Sequence, residues 1–289
     1  MEVPLHVAMS SLLRNLAEGY SARFYLILTG FTEQKLALLR KTLDKTQRNY
    51  SLHLLETADT SIFSGFPDLH GSYATYYRLL LPELVNEDRL LYLDSDLRVN
   101  IDIAPLFEAE MGSHAAGFAV DGVVAGTLDR DFQLSVGRAP DDPSFNAGVV
   151  LMNLIEWRRQ GCSEKVFAFG RKWGAQLVNR DQSLLNALFA NDCYQLETRF
   201  NTTVKATTDP RTVPADAIVH YIGSPKPWDI GGRWMHACAR PWFHELRKTA
   251  VPLPQRTTWL DRYAWTRLPK ILGGYRRILK WRISRVLGK

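Results

Sequence analysis

Two carboxylates lie one residue apart at the end of an apolar run, because Asp94 and Asp96 directly follow residues 90–93. Four consecutive apolar residues between polar stretches are typical of a short strand that is buried on both faces. Ligands of open α/β sheets bind outside the carboxyl ends of the strands. Two negative charges held this close repel each other unless a cation or a shared proton offsets them, and hard oxygen ligands suit Mg²⁺ or Mn²⁺. An isolated Asp-x-Asp pair is also compatible with a solvated acidic turn. Other residues of the chain are needed to distinguish a metal site from such a turn.

Other polar residues stand where a predicted element begins or ends, and each has a plain structural interpretation. His220 alone could be a satisfied, partly buried histidine, and Lys226 alone an exposed surface lysine. Asp181 could cap the N-terminus of the helix that follows it, and Asn146 could belong to a turn that enters a strand. Arg78, which has apolar neighbours on a helix, could make a structural ion pair. None of these residues identifies a function by itself.

Strands alternate with helices along the part of the chain that carries these residues. Hydrophobic patterning predicts strands at 23–28, 51–55, 90–93, 115–120, 145–152 and 217–221. It predicts helices at 5–18, 32–46, 72–84, 154–160, 163–176 and 182–190. The Gly- and Pro-bearing segment 122–143 is typical of a long surface loop. The alternation indicates βαβ units and predicts an α/β fold with a mostly parallel central sheet flanked by helices.

Composition limits the classes of protein to consider. A chain of 289 residues with 46% hydrophobic content can bury one large α/β core or two small ones. The three cysteines, Cys162, Cys193 and Cys238, show no Cys-x-x-Cys spacing, which disfavours a disulfide framework and a zinc site and favours a reducing compartment. There is no uninterrupted apolar run of about 18 residues and no signal-peptide pattern, so we expect neither a membrane span nor secretion.

Five short motifs follow one another in a fixed order. They are Tyr76-Tyr77-Arg78-Leu79, Asp94-Ser95-Asp96, Phe145-Asn146-Ala147-Gly148, Asp181-Gln182 and His220-Tyr221-x-Gly223-x-x-Lys226-Pro227-Trp228. Each motif alone is weak, but the set resembles the retaining glycosyltransferase family 8, which contains bacterial lipopolysaccharide galactosyl- and glucosyltransferases and glycogenin. The resemblance covers about residues 5 to 250. It implies a nucleotide-diphosphosugar transferase fold of the GT-A type and transfer of galactose or glucose from a UDP-sugar.

The resemblance also implies a role for each matching residue. Asp94, Asp96 and His220 would be ligands of one Mn²⁺ or Mg²⁺, while Arg78, Ser95, Asn146, Gly223 and Lys226 would bind the donor, and Asp181 and Gln182 would be catalytic. The metal would act as a Lewis acid on the diphosphate and neutralise charge on the departing UDP. The neutral amide of Gln182 is a poor nucleophile. This disfavours the covalent two-carboxylate route of retaining glycosidases and favours front-face attack by the acceptor hydroxyl.

The chain departs from the family pattern at two places. Ser183 follows Gln182 where the family usually has an acid, which leaves a role for a second carboxylate unsupported. Family members also open with a strand that contacts uracil and ribose, whereas this chain begins at the following helix, which resembles residues 6–16. A sheet without an inner strand would expose apolar surface and lose nucleotide contacts. We therefore expect either a start further upstream or weak binding of the UDP-sugar.

The basicity of the chain lies in its tail. The formal net charge is +6, but residues 255–289 carry ten Lys or Arg and one acid, a net of +9, which leaves −3 for residues 1–254. We therefore expect a GT-A domain at 1–254 and a basic amphipathic tail at 255–289. From residue 269 onward, apolar residues recur at helical spacing with cations beside them: Leu272, Tyr275, Leu279, Ile283 and Val286, with Arg276, Arg277, Lys280, Arg282 and Arg285.

A basic amphipathic helix of this kind is typical of an interfacial anchor on anionic lipid. Trp259, Trp265 and Trp281 suit the headgroup level. A helix packed on its own domain and a nucleic-acid patch are the alternatives. We favour the membrane surface, where a lipid-linked acceptor would lie, and expect no nucleic-acid partner.

Three functional hypotheses follow. The first is a metal-dependent hexosyltransferase for a glycan or lipid-linked acceptor in lipopolysaccharide or cell-surface glycan synthesis, cytoplasmic and peripheral on the cytoplasmic face of the inner membrane. The second is a Mg²⁺-dependent phosphatase of the haloacid dehalogenase class, which also has Asp-x-Asp after a buried strand. That class has Thr or Val two residues past the second acid, where this chain has Arg98. The third is a catalytically inactive, truncated family member that acts as a binding protein.

Overall fold

Alternating strands and helices form the fold in the computed structural model, which describes residues 2–27, 30–56, 60–68, 72–252 and 262–286. The strands are β1 (Ala22–Ile27), β2 (Tyr50–Leu55), β3 (Arg89–Leu93), β4 (Leu97–Val99), β5 (Ala116–Val123), β6 (Pro143–Phe145), β7 (Val149–Asn153), β8 (Tyr194–Leu196), β9 (Thr202–Val204) and β10 (Ile218–Tyr221). The helices are α1 (Glu2–Asn15), α2 (Glu33–Asp44), α3 (Leu81–Leu84), α4 (Ala104–Glu108), α5 (Arg130–Ser135), α6 (Leu154–Arg159), α7 (Cys162–Trp173), α8 (Asp181–Phe189), α9 (Gly232–Met235), α10 (Ala239–Arg247) and α11 (Arg262–Val286). The α/β class expected from the sequence is therefore confirmed.

Two predicted segments differ in detail from the observed elements. The strand predicted at 145–152 is divided into β6 and β7 by a turn at residues 146–148. The segment predicted as a loop at 122–143 contains α5 and the start of β6. The sequence reasoning thus missed the break within 145–152 and the helix within 122–143.

The chain from β1 to β2 forms a βαβ unit. The two strands pair in parallel, beginning with Ala22 opposite Tyr50. α2 begins after Thr32, whose hydroxyl accepts a hydrogen bond from the backbone N–H of Lys35 (3.4 Å). The apolar face of α2 packs against α1 in a core that contains Met9, Leu13, Leu39 and Leu43. Because an isolated helix of 12 residues is marginal in water, the burial of this face stabilises the unit.

The other strands form two sheets with mixed pairing. The larger sheet has the order β3-β7-β5-β6, with β8 also paired to β5, and the smaller one has the order β4-β10-β9. The pairs β3/β7, β5/β7, β5/β6 and β4/β10 are antiparallel, while β1/β2, β5/β8 and β9/β10 are parallel. The expectation of a mostly parallel sheet is therefore wrong for the described strands. An apolar run indicates that both faces of a strand are buried, but it does not indicate the direction of the neighbouring strand. Here β7 is buried on both faces and pairs with antiparallel strands.

The larger sheet separates two hydrophobic cores, because alternate residues of a strand point to opposite faces. On β7, Val150 and Met152 pack into one core, and Val149 and Leu151 pack into the other. All four side chains are buried. Packing on both faces of β7 fixes the position of the turn at 146–148 that precedes it.

β1 and β3 contribute to the same two cores, and in the described part of the chain they do not pair with each other. Ala22 and Phe24 share one core with Leu91 and Leu93, while Tyr25 and Ile27 share the other with Leu90 and Tyr92. Every residue of β3 is only half-buried. Within the described ranges, β1 pairs only with β2 and β3 only with β7. Half-exposed apolar residues of β3 therefore line this edge.

α11 packs one face against the domain. Ile271 and Ile278 on this face are buried. Gly274 lies so close to the segment after β10 that a Cβ there would be 2.6 Å from the carbonyl oxygen of Ser224 and 2.7 Å from Cδ of Pro225. One alternative for the tail was a helix that packs on its own domain. The structure shows this packing for one face of α11.

The outer face of α11 carries an apolar stripe of Leu272, Leu279 and Ile283, exposed by 55%, 51% and 58%. Tyr275, expected in this stripe, lies instead beside Gly231 of the domain. Four residues of the expected pattern fall outside the description. Trp259 lies outside the described residues, and the side chains of Trp265, Arg285 and Val286 are not described. In the part of the chain that the structure describes, no helix is both long enough and apolar enough to cross a membrane. The boundary at residue 254 stays a prediction.

Leu97→Ala should destabilise the protein, whereas Leu128→Ala should not. Leu97 is fully buried on β4, next to Asp96, while Leu128 is 88% exposed. Removing a buried Leu side chain lowers the free energy of unfolding by about 2–5 kcal/mol, and an exposed substitution changes it by about 0.5 kcal/mol or less. Urea denaturation followed by circular dichroism measures both variants. Equal free energies of unfolding would contradict the position of β4 in the core.

Candidate active site

Asp94, Asp96 and His220 lie together beyond the end of β3. Each offers one ligand atom, and the three atoms lie within 4.8 Å of one another. Nε2 of His220 is 3.1 Å from Asp96 Oδ1 and 3.7 Å from Asp94 Oδ2. The two acids flank the turn from β3 to β4, and β4 pairs with β10 so that Leu97 stands opposite His220. Strand pairing therefore brings together the three residues that the sequence indicated as metal ligands.

Asn201 orients the ring of His220. Oδ1 of Asn201 is 3.2 Å from His220 Nδ1, and Nδ2 of Asn201 donates to the backbone oxygen of Asn146 (2.9 Å). The Asn201 oxygen accepts from Nδ1 of His220, so Nδ1 keeps a proton, and Nε2, which faces the carboxylates, is the nitrogen that a metal ion would bind in place of a proton. A metal-binding histidine needs this tautomer. Asn201 is only 3% exposed, so its orientation is fixed by the protein around it.

The absence of a side chain at Gly148 makes room for the cluster of Asp94, Asp96 and His220. A Cβ at this position would lie 2.2 Å from His220 Cε1 and 2.9 Å from Asp94 Oδ2. The carbonyl oxygen of Gly148 accepts a hydrogen bond from the backbone N–H of Asp94 (2.8 Å). Two carboxylates, an imidazole lone pair and a wall without a side chain fit a divalent cation such as Mn²⁺ or Mg²⁺.

Asp96 is buried beside two basic groups. Burial alone would raise the pKa of the Asp96 carboxyl, but the hydrogen bond with His220 and the charges of His220 and Lys226 outweigh it and hold this pKa well below its usual range. Nζ of Lys226 is 2.8 Å from Asp96 Oδ2 and also donates to the backbone oxygen of Tyr221. Asp96 is therefore ionised at neutral pH, and Lys226, expected at the donor, pairs with it.

Arg78 joins two carboxylates in a buried ion-pair network. Its Nη2 is 2.9 Å from Asp94 Oδ1, and its Nε is 3.1 Å from Asp181 Oδ2. Thr75 donates a hydrogen bond to the other oxygen of Asp181. Ala74–Leu80 is a 3₁₀ helix, in which side chains three residues apart lie above one another, so Thr75 and Arg78 reach the same carboxylate. This tight helix replaces most of the α-helix expected in this region.

The network keeps Arg78 charged. Burial would lower the pKa of Arg78, but Asp181, Tyr92 and Asp94 together raise it above its usual value. Burial raises the pKa of the Asp181 carboxyl, and Arg78 and Thr75 oppose that rise. Tyr92 donates a hydrogen bond to Asp94 Oδ1 (2.7 Å), and its ring centroid is 4.1 Å from the guanidinium carbon of Arg78. Loss of one member would leave a buried charge without compensation, which is strongly destabilising.

Asp181 is the first residue of α8 rather than its N-cap. Arg180 holds the N-cap position with a φ of 54°, and no side chain caps the helix there. The capping interpretation of Asp181 is therefore wrong, whereas the ion-pair interpretation of Arg78 describes an observed contact. Both oxygens of Asp181 have partners, and the residue is 5% exposed. Its direct catalytic role stays a prediction.

Hydrogen bonds connect Gln182 to the cluster. Oε1 of Gln182 accepts from Asn146 Nδ2 (3.2 Å), and Asn146 Oδ1 accepts from the backbone N–H of Gly148 (2.9 Å). Asn146 also accepts from Asn201, which holds His220. Gln182 and Asn146 are half-buried, so each keeps surface open to solvent. The structure thus joins these two candidate residues to the histidine.

Ser95 and Gly223 stand at the edge of the cluster. Ser95 lies in the turn between Asp94 and Asp96 and is half-buried. Gly223 follows β10 with a φ of 72°, a conformation that glycine adopts without strain. The backbone therefore explains this glycine, and donor binding by both residues stays a prediction.

Asn201 and Asp121 are site residues that the sequence reasoning missed. Asp121, near the end of β5, lies within electrostatic reach of His220 and Lys205. Desolvation by the surrounding protein raises the pKa of its carboxyl, and the charges of His220 and Lys205 oppose that rise. Asn201 precedes β9, which pairs in parallel with β10. Neither residue belongs to a motif, so only the pairing of strands could have indicated them.

The sequence is similar to a known family of enzymes. The profile of the family described as Glycosyl transferase family 8 matches residues 3–230. General stress protein A of Bacillus subtilis (strain 168) is 27% identical over 262 residues, which cover 83% of this chain and 87% of that protein. Lipopolysaccharide 1,2-glucosyltransferase of Escherichia coli is 26% identical over 268 residues, which cover 85% of this chain and 74% of that protein. The chain spans only 28% to 54% of five streptococcal relatives.

A solved structure has a similar architecture. The galactosyltransferase LgtC, in complex with donor and acceptor sugar analogs, matches with a TM-score of 0.72 at 26% sequence identity. The match covers 89% of this chain and 95% of that chain. The similarity of fold therefore extends over most of both chains.

Gly148→Ala should weaken the binding of Mn²⁺ by about tenfold or more, because the added Cβ displaces His220, from which it would be only 2.2 Å away. Gly126→Ala is the matched control, since nothing lies within 4 Å of a Cβ there. Electron paramagnetic resonance of free Mn²⁺ measures the affinity, and circular dichroism checks that both variants fold. Equal affinities would contradict a metal site against this glycine.

Asn201→Ala should lower the affinity for Mn²⁺ by about 10- to 100-fold, the usual effect of removing a group that orients a metal-binding histidine. Asn191→Ala is the control, because it removes an exposed amide that bonds to Asp142 outside the cluster. Isothermal titration calorimetry compares the two. If Asn201→Ala binds Mn²⁺ as the unchanged protein does, Asn201 does not set the tautomer of His220.

Proposed function

The chain belongs to glycosyltransferase family 8, and from this we propose that it moves a hexose, galactose or glucose, from a UDP-sugar to a glycan or lipid-linked acceptor with retention of the anomeric configuration. Its fold is of the GT-A type, and it is a glycosyltransferase. The observation that carries the finer proposal is the cluster of Asp94, Asp96 and His220, joined by a chain of hydrogen bonds to Gln182.

Asp94, Asp96 and His220 would hold one Mn²⁺ or Mg²⁺. When bound, the ion supplies positive charge to the diphosphate of the donor and to the departing UDP without a proton donor. Lys226 supplies a second positive charge. Its Nζ pairs with Asp96 in this structure, and its flexible stem lets it exchange that carboxylate for a phosphate oxygen.

The reaction proposed is a front-face displacement at the anomeric carbon. The acceptor oxygen bonds to this carbon while the bond to the diphosphate breaks, and the proton of the acceptor hydroxyl passes to the departing phosphate. Gln182 presents a neutral amide, and the two oxygens of Asp181 are held by Thr75 and Arg78. A covalent route needs a free carboxylate beside the anomeric carbon. The observed contacts therefore favour front-face attack.

Four of the remaining candidate residues would bind the sugar nucleotide directly: Ser95, Asn146, Gly223 and Lys226. The half-buried amides of Asn146 and Gln182 have surface left to orient sugar hydroxyls. Arg78 acts through the carboxylates that it holds, since its own guanidinium is buried between them. Asp181 would contribute to the same contacts by fixing the start of α8.

We further propose an acceptor in lipopolysaccharide or another cell-surface glycan, and a location in the cytoplasm on the cytoplasmic face of the inner membrane. One relative is a lipopolysaccharide 1,2-glucosyltransferase, and the similar structure of LgtC holds donor and acceptor sugar analogs. The stripe of Leu272, Leu279 and Ile283 on α11 is flanked by exposed Arg276 and Lys280. Such a face suits an anionic membrane, where each cation contributes about 1 kcal/mol of binding free energy.

With Mn²⁺ and a panel of UDP-sugars, the protein should release UDP from UDP-galactose or UDP-glucose, and EDTA should stop the release. Asp96→Ala should lower the rate by roughly 100-fold or more, because it removes a metal ligand and the partner of Lys226. Asp131→Ala, at an exposed position on α5, should keep the rate.

The outcomes separate the three functional hypotheses. No UDP release with any donor would overturn the proposed reaction and favour an inactive binding protein. Release of inorganic phosphate from a monoester would favour the phosphatase, which the match of residues 3–230 to a transferase family already disfavours. A full rate for Asp96→Ala would remove the metal role and leave the transfer reaction standing.

A further inference from the structure

A cavity of about 420 Å³ opens between α9 and α10. Four basic side chains and one aromatic ring line it: Arg233, Arg240, His244, Arg247 and Phe243. None of these residues takes part in the proposed transfer reaction. We call this cavity the basic pocket.

The helical period of α10 brings most of these side chains to one face. Arg240, His244 and Arg247 stand at positions i, i+4 and i+7, with Phe243 between them. The opposite face of α10 is anchored by Trp242, which is fully buried. The basic face therefore cannot turn away from the cavity.

Arg233 closes the basic pocket from the side of α9. Its guanidinium carbon lies 5.5 Å from the ring centroid of Phe243. This contact positions the guanidinium of Arg233. The N–H groups of a guanidinium lie at its edge, so stacking on the ring of Phe243 does not use them. Among the described residues, no group accepts a hydrogen bond from Arg233, which leaves its donors for a ligand.

The basic pocket concentrates positive charge. Within the described residues, no ion pair or hydrogen bond joins its four basic side chains to an acid. Glu245, the acid of α10, lies on the buried face, 2.7 Å from Arg14 and 2.7 Å from Lys248. Arg240 stands in the first turn of α10, where the helix dipole disfavours a cation. An anion would offset both effects, so the pocket has the properties of an anion site.

The groups of the basic pocket suit phosphate among the anions. Guanidinium groups match phosphate oxygens with two parallel hydrogen bonds. A phosphate monoester carries close to two negative charges at pH 7, whereas a phosphodiester carries one. Three arginines and a histidine around one cavity match the larger charge. Phe243 supplies an apolar wall for the alcohol part of an ester.

α9 lies between the basic pocket and α11. Arg282 of α11 donates from Nη2 to the backbone oxygen of Trp234 on α9 (3.1 Å). Gly231, which precedes α9, lies where a Cβ would be 2.8 Å from the hydroxyl of Tyr275. Trp234 is 75% exposed and is of a residue type that favours the headgroup level of a membrane. Contacts of α9 therefore connect the basic pocket with α11.

We propose that the basic pocket binds the terminal phosphate monoester of an anionic membrane lipid. This rests on the membrane docking proposed for α11, to which it adds a specific headgroup contact. The apolar stripe of α11 supplies attachment that does not depend on the headgroup, while the pocket selects a lipid and fixes the orientation of the protein on the surface.

Co-sedimentation with two kinds of phosphatidylcholine vesicle tests the proposal. One kind contains phosphatidic acid and the other phosphatidylglycerol, in amounts that give both vesicles the same measured surface charge. The full chain should bind the phosphatidic acid vesicles, which present a monoester, about tenfold more tightly. Arg240→Gln combined with Arg247→Gln should abolish this preference and keep binding to phosphatidylglycerol. Arg130→Gln combined with Arg171→Gln removes two exposed arginines outside the pocket and should keep the preference.

Several results would overturn the proposal. Equal binding of the unchanged protein to both vesicles, or a preference that survives in the pocket variant, would show that the pocket does not read the headgroup. Glycerol 3-phosphate that binds as tightly as the vesicle phosphate would identify a soluble ester as the ligand. Failure to bind any anionic vesicle would overturn the docking of α11 as well, while UDP release in the same preparations tests the transfer reaction separately.

Discussion

Compensation of buried charge beyond the end of β3 is the interaction on which the candidate active site depends. Three carboxylates and three basic groups meet there: Asp94, Asp96 and Asp181 with Arg78, His220 and Lys226. Buried ions are costly unless each has a partner. The 3₁₀ helix, the turn after β3, the start of α8 and the end of β10 must therefore stand close together for any of them to be stable. The basic groups beside Asp96 hold the pKa of its carboxyl low, which keeps it in the ionised state that a divalent cation needs.

Local patterns in the sequence indicated the charged residues of the site, but not the groups that orient them. Asp94 and Asp96 follow an apolar strand, and the order of the motifs led to His220. Asn201 and Gly148 act on His220 across the sheet, one beside β10 and the other from the turn before β7. Contacts of this kind arise from strand pairing, which no local pattern records.

The errors in strand direction and helix type have a related cause. Apolar runs placed the strands well, but antiparallel and parallel strands that are buried on both faces have the same composition, so the mixed pairing was not visible. Asp181 had the residue type of a helix cap. Its actual partners, Thr75 and Arg78, come from a distant segment whose 3₁₀ geometry only the folded chain reveals. The sequence thus predicted which residues are buried, but it did not predict which distant residues contact one another.

The open edge between β1 and β3 has a consequence for how the molecule fluctuates. The unit of β1, α2 and β2 is joined to the larger sheet through shared hydrophobic cores, and the described residues include no backbone ladder from β1 to β3. A segment held by side-chain packing opens at a lower free-energy cost than one that is also held by strand hydrogen bonds. Native-state hydrogen exchange would then resolve two foldons, with β3 at the border between them. The carboxylates that follow β3 accordingly belong to the more protected foldon, next to the one that opens first.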